Sequence, residues 1–216
     1  MADTKVSVLT AASALDGTEV VPGVQSATSK KITIDQIATR VGGLNRTNAA
    51  VVTPAAGFAA DTLLAGSAIA IPAGALKAGT VYRCKFHVTK TAAGTATPIV
   101  NVRFGTGVIG DTARLTFTFA AGTAAIDSGW FEVNVTFNSV GSGTSAVIEG
   151  IIELRRATVT AAGLVVTTQA NITIAPAASG GFDSTIANAV IHLSVNGGTS
   201  AAWTIRGVRA ELDNLI

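Results

Sequence analysis

The sequence predicts an all-β sandwich, on three observations. From about residue 62 onward, apolar and polar residues alternate with period two in run after run. Glycine-centred turn signals separate the runs. The composition then removes the competing classes. Charged residues are only 13% of the 216 positions, too few for a coiled coil, and a hydrophobic fraction of 48% excludes a charge-rich disordered chain.

The N-terminal part follows a different pattern. In residues 1–41, Val6 and Val8 with Leu9, the stretch Thr18–Val24 (with Val20 and Val21) and Lys31-Ile32-Thr33-Ile34 read as short extended pieces around an Asp16-Gly17 turn. Thr33-Ile34-Asp35-Gln36 matches a capping box, and Ile34, Ile37 and Val41 follow at helical spacing, so one short helix is expected to end near Gly42-Gly43. This segment holds too few large apolar residues to stand alone and calls for a partner surface. Residues 42–61, with Gly42-Gly43, Asn45, Asn48, Pro54 and many Ala, show no helical or strand period and read as a linker.

Residues 62–216 supply the strands in order. Tyr82, Cys84, Phe86 and Val88 share one face and Arg83, Lys85 and His87 the other. The same alternation runs through Val100, Val102 and Phe104, through Leu115, Phe117 and Phe119, and through Phe131, Val133, Val135 and Phe137. It returns in Ile148, Ile152 and Leu154 against Glu149 and Glu153, in Ile191, Leu193 and Val195 against His192 and Ser194, and in Trp203 and Ile205. Roughly eight to ten strands result, the number a jelly roll needs. Each inward Phe, Ile or Leu contributes about 1.5–3 kcal/mol, so these rows make an ample core.

The signals that could be chemistry have simpler structural explanations. Gly105-Thr106-Gly107-Val108-Ile109-Gly110 is a literal G-x-G-x-x-G after a strand, but the dinucleotide fingerprint needs a helix next. Arg114 to Phe119 alternates instead, so a hairpin loop is expected. Cys84 sits on the inward row and His87 on the opposite face, which separates thiol from base. Glu149 and Glu153 share a strand face with Arg155 nearby but lack a third group. Asp111, Asp127 and Asp183 fall in turns and are expected to bond local backbone. One Cys and two His at no ligand spacing argue against a zinc site. No catalytic, cofactor-binding or metal residue is assigned, and no enzyme is expected.

A net charge of +2 with no Lys/Arg cluster beyond a pair argues against a nucleic-acid partner. The N-terminus lacks a signal-peptide pattern and no 18-residue apolar stretch occurs, so neither secretion nor membrane insertion is expected. Trp130 is out of phase with the inward row that starts at Phe131; it marks a binding surface, a subunit contact or a cover for the sheet end. Val81, Val147, Ile151 and Val190 also fall on outward faces, where a solvated antiparallel sheet carries polar residues. With Trp130 they are the expected subunit-interface residues.

The N-terminal wording resembles a known group. Ala2 to Leu9, Leu15-Asp16-Gly17-Thr18-Glu19-Val20-Val21-Pro22, Gln25, and Lys30-Lys31-Ile32-Thr33-Ile34-Asp35-Gln36-Ile37 resemble a leader common on tailed-bacteriophage fibre and virion structural proteins. The resemblance implies that residues 1–41 attach the chain to other virion proteins of capsid or tail, through Val6, Val8, Leu9, Val20, Val21, Ile32, Ile34 and Ile37. Leu64-Ala65-Gly66-Ser67, Ile71-Pro72, Gly180 to Thr185 and Leu193 to Gly198 are similar to jelly-roll heads on phage fibres, which resemble the trimeric tumour-necrosis-factor/C1q arrangement. The resemblance implies a homotrimeric virion fibre or spike, made in the bacterial cytoplasm, whose outward head is a candidate for contact with host surface glycan. A capsid decoration, cement or head-fibre protein is the alternative, and a carbohydrate-binding module or glycan-cleaving enzyme a remote one.

Overall fold

The computed structural model describes residues 20–25, 28–33, 45–50, 58–156, 163–165, 171–198 and 202–214. The chain divides into two units, Met1–Gly43 and Leu44–Ile216. In the first, β1 (Val20–Gln25) and β2 (Thr28–Thr33) form an antiparallel hairpin with Val20 opposite Thr33 and Gln25 opposite Thr28. Val20, Val21 and Ile32 lie in these strands. Val6, Val8, Leu9, Ile34, Ile37 and the expected helix lie outside the described residues.

The second unit is an all-β sandwich of two antiparallel sheets, with no helix among the described residues. Its strands are β3 (Asn45–Ala50), β4 (Thr62–Leu63), β5 (Ile69–Ala70), β6 (Thr80–Lys90), β7 (Ile99–Gly105), β8 (Ala113–Thr118), β9 (Asp127–Ser139), β10 (Val147–Arg156), β11 (Asn171–Ala178), β12 (Val190–Asn196) and β13 (Trp203–Asn214). The six-stranded sheet runs β11-β10-β9-β6-β13-β3; the other runs β4-β12-β7-β8, with β5 also on β12. The pairings nest: β3 with β13, β4 and β5 with β12, β6 with β9, β7 with β8, while the β10–β11 hairpin extends the larger sheet beyond β9.

The period-two rows meet between the sheets. Phe86 stacks on Phe131 at 5.2 Å between ring centroids, and Phe119 and Trp203 close on Phe131 at 5.3 and 5.6 Å. Phe104 from the smaller sheet meets Phe137 at 6.1 Å. Such offset and edge contacts are the favoured aromatic geometries.

One expectation is changed. Within the stretch 42–61 expected as linker, Asn45–Ala50 forms β3, the edge strand paired with β13 from Asp213 opposite Asn45 to Val208 opposite Ala50. Backbone pairing makes this strand, so its sequence needs no apolar alternation. The amide of Asn48 also donates to the Ala68 carbonyl at 2.8 Å. Gly66, at φ +83°, lets the β4–β5 connection approach: a Cβ there would stand 2.6 Å from the Ala50 nitrogen.

Candidate functional site

The outer face of the six-stranded sheet is ordered by strand register into cross-strand rows. Arg206, His87, Trp130, Arg155 and Asn171 lie side by side. Next come Arg209, Lys85, Glu132, Glu153 and Thr173, then Glu211, Arg83, Asn134 and Ile151, then Asp213, Val81, Thr136 and Glu149. On the other side of the Trp130 row stand Thr204, Thr89 and Ser128. Formal charge thus changes along the strands, from two guanidiniums in the Trp130 row to two carboxylates in the Asp213 row.

Trp130 is 42% exposed, whereas Trp203 is 2% exposed. The His87 ring lies 5.0 Å from the indole and the Lys85 ammonium 5.4 Å from its centroid, both from β6. On β13 the register shifts between Arg206 and Arg209, a bulge that keeps Val208 buried and leaves Arg206 and Arg209 exposed. Gly207 in that bulge has φ +59°, and a Cβ there would meet the Trp130 Cη2 at 3.7 Å. The carboxylates of this face are engaged: Glu153 with Arg155 at 3.1 Å, Glu132 with Arg155 at 3.9 Å, Glu211 with Arg209 at 2.8 Å and Asp213 with Arg83 at 3.7 Å. No carboxylate among the described residues lies within ion-pair distance of Arg206 or Lys85.

The outer face of the smaller sheet is organised differently. Asp111, in the β7–β8 loop, accepts the Gly107 and Val108 N–H groups at 2.7 and 3.0 Å and faces His192 Nε2 at 2.9 Å. Burial pushes its pKa up, but donors at Thr106, His192, Val108 and Gly107 outweigh this and hold the carboxyl well below the usual range. His192 is 2% exposed, and its Nδ1 is buried with no hydrogen-bond partner among the described residues. Arg103 donates to the Ser194 hydroxyl at 2.7 Å, to the Asp111 carbonyl and to the Asp61 carboxylate. The Thr116 hydroxyl donates to the side-chain amide oxygen of Asn101 at 2.8 Å. This network anchors the glycine loop, whose Val108 and Ile109 are exposed.

A buried charge cluster closes one end of the larger sheet. Lys90 donates to the carbonyls of Thr91, Thr123 and Ala125 at 3.0, 2.6 and 3.1 Å. Burial pushes its pKa down against the pull of Asp127. Asp127 accepts from Arg156 Nε at 3.1 Å and from the Leu164 N–H at 2.9 Å. These contacts fasten loops to the strand ends and suit a structural role.

The other sequence candidates fall as follows. Cys84 is buried in the core, and burial pushes its thiol up to about 12, so no thiolate forms near neutral pH. Glu149 accepts from the Asn138 amide at 3.1 Å. The G-x-G-x-x-G run is the loop between antiparallel β7 and β8. Asp183 accepts the Thr185 N–H at 2.7 Å. Val81 is nearly covered within the chain's own fold, Val147, Ile151 and Val190 are half-buried, and only Trp130 of the five expected interface residues is open. Sequence reading missed Asp61, Arg103 and His192 as a group, since their partners lie far along the chain. It also missed the row of cations beside Trp130, which register alone assembles. Among the described residues no cluster of His, Cys, Asp and Glu could hold a metal ion.

Comparison with protein-family models, with curated proteins and with solved structures returns no significant match.

Proposed function

We propose that the chain is a structural protein of a tailed-bacteriophage virion, a fibre or spike attached through residues 1–41 and carrying a jelly-roll head outward as a homotrimer. The observation that carries this reading is the division at Gly43, which separates the phage-like leader from a sandwich whose strand pairings nest first with last. Nested pairing across two sheets is what a jelly-roll strand order requires, and it supports this reading. Val147 and Ile151, half-buried on β10, are the proposed trimer contacts. A capsid decoration or head-fibre role is the second reading. It is favoured by the scarcity of exposed aromatics, of which Trp130 is the one among the described residues.

Deletion of residues 1–41 tests the attachment. The shortened chain should keep its β circular dichroism and fail to enter particles, as read by mass spectrometry of purified virions; normal incorporation rejects the reading. Immunogold labelling of intact particles separates tail from capsid. Sedimentation tests the trimer: Ile151→Asp should shift the protein to smaller species, and a wild-type monomer at micromolar concentration rejects it.

A further inference from the structure

We propose that the Trp130 end of the larger sheet's outer face binds an acidic sugar, its pyranose ring stacked on the indole and its carboxylate held by Arg206 and Lys85. The inference deepens the reading above, in which the sandwich faces outward.

Four observations converge. The indole keeps 42% of its residue surface in solvent, although an aromatic of this size is normally buried or capped. The bulge places Gly207 beside it, where a longer side chain would lie against the ring. The surrounding groups are hydrogen-bonding ones: the hydroxyls of Thr89, Ser128 and Thr204 in one row, and Arg206, His87, Arg155 and Asn171 beside the indole. An apolar ring face rimmed by donors fits a sugar, which presents an apolar C–H face and a rim of hydroxyls. The fourth observation is charge. The Trp130 row and the row beyond it hold no carboxylate. Glu132 and Glu153 in the adjacent row pair with Arg155, while among the described residues Arg206 and Lys85 have no carboxylate within ion-pair distance, and the Lys85 ammonium lies 5.4 Å from the indole centroid. Guanidinium groups match carboxylates geometrically.

A second copy of the chain fits this surface less well. Interface cores are depleted of charge and need contiguous apolar area. Here the indole is ringed by charges, and Ile151 stands two rows away, about 13 Å along the strands.

The test uses the purified full-length protein and isothermal titration. The acidic panel is oligogalacturonate, a glucuronate-containing hyaluronan oligosaccharide and sialyllactose; the neutral controls are malto- and cello-oligosaccharides. At least one acidic sugar should bind saturably, more tightly than every neutral control, and more weakly as salt is raised. Tryptophan emission should change with it. Trp130→Ala should weaken binding about tenfold or more. Arg206→Gln should remove the preference for acid while leaving weak stacking on the indole. Circular dichroism of both variants checks folding. The proposal is overturned if no acidic sugar binds, if neutral sugars bind equally well, or if Trp130→Ala binds like wild type. It is also overturned if Trp130→Ala splits the oligomer in sedimentation, which would assign the face to subunit contact. None of these outcomes touches particle incorporation, which the deletion of residues 1–41 reads separately.

Discussion

The two sheets of the sandwich obey the same alternation, yet their outer faces end in different states. On β7 and β12 the outward residues are polar and buried: Asn101 is 8% exposed, His192 2% and Ser194 0%. On β6, β9 and β13 the outward Arg83, Lys85, Trp130 and Arg209 are exposed. The difference comes from what crosses each face. Asp61, just before β4, reaches Asn101 and Arg103, and Asp111 in the β7–β8 loop reaches His192. Among the described residues nothing crosses the Trp130 face in this way. Polar periodicity therefore reports which side of a strand faces away from the core, and not whether that side meets water. A covered polar face makes mutual demands on its donors and acceptors, whereas an open face leaves them to solvent or to a ligand.

The comparison can be broken most easily at Asp111. Asp111→Ala removes the acceptor for two backbone N–H groups and for a buried imidazole, and should cost about 2–3 kcal/mol. Urea unfolding would show this as a lower midpoint at unchanged slope; a loss below about 0.5 kcal/mol would mean that the face is effectively solvated. The same carboxyl shapes the acid limb. Its folded pKa is depressed, so its contribution is full above the unfolded value near 4 and is lost as pH falls below it. Asp111→Asn should therefore flatten the decline in stability between about pH 5 and 2 relative to wild type.

Smaller effects are expected on the open face. Trp130→Ala should cost under about 1 kcal/mol, against about 3–5 kcal/mol for Trp203→Ala in the core. Thermal unfolding of the pair measures that contrast directly. Glu211→Gln loses an ion pair with an Arg209 side chain that is 69% exposed, and should stay within about 0.5 kcal/mol of wild type.

What could be read from the sequence follows from these faces. Phe131, Val133, Val135 and Phe137 announce an inward row because each is large and apolar and its neighbours are not, and the structure buries all four. Trp130 was legible as outward by phase alone. The hairpin nature of the glycine motif was legible because Leu115 and Phe117 resume the alternation. β3 was not legible: Asn45-Arg46-Thr47-Asn48-Ala49-Ala50 carries no apolar rhythm, and its pairing partner lies at the far end of the chain. β11 was obscured as well, since Pro176 argues against a strand unless the strand is at an edge, where the structure puts it. The Asp111–His192 contact spans 81 positions and has no local signature. The cation row around Trp130 draws on β13, β6, β9 and β10, and only pairing register reveals it.

The position of β3 has a mechanical consequence. The second unit begins at Leu44, and β3 starts one residue later. Tension applied through residues 1–43 therefore enters the sandwich at this strand. β3 is bonded along one side to β13, which itself lies between β3 and β6, so the load passes into the interior of the sheet and not into a surface loop. A pull along the strand loads the six paired positions together, in shear. A pull across it opens them one at a time, like a zip. Forced unfolding is governed by the rate at which such bonds open, so the direction of pull at Leu44 sets how long the sandwich survives a given load.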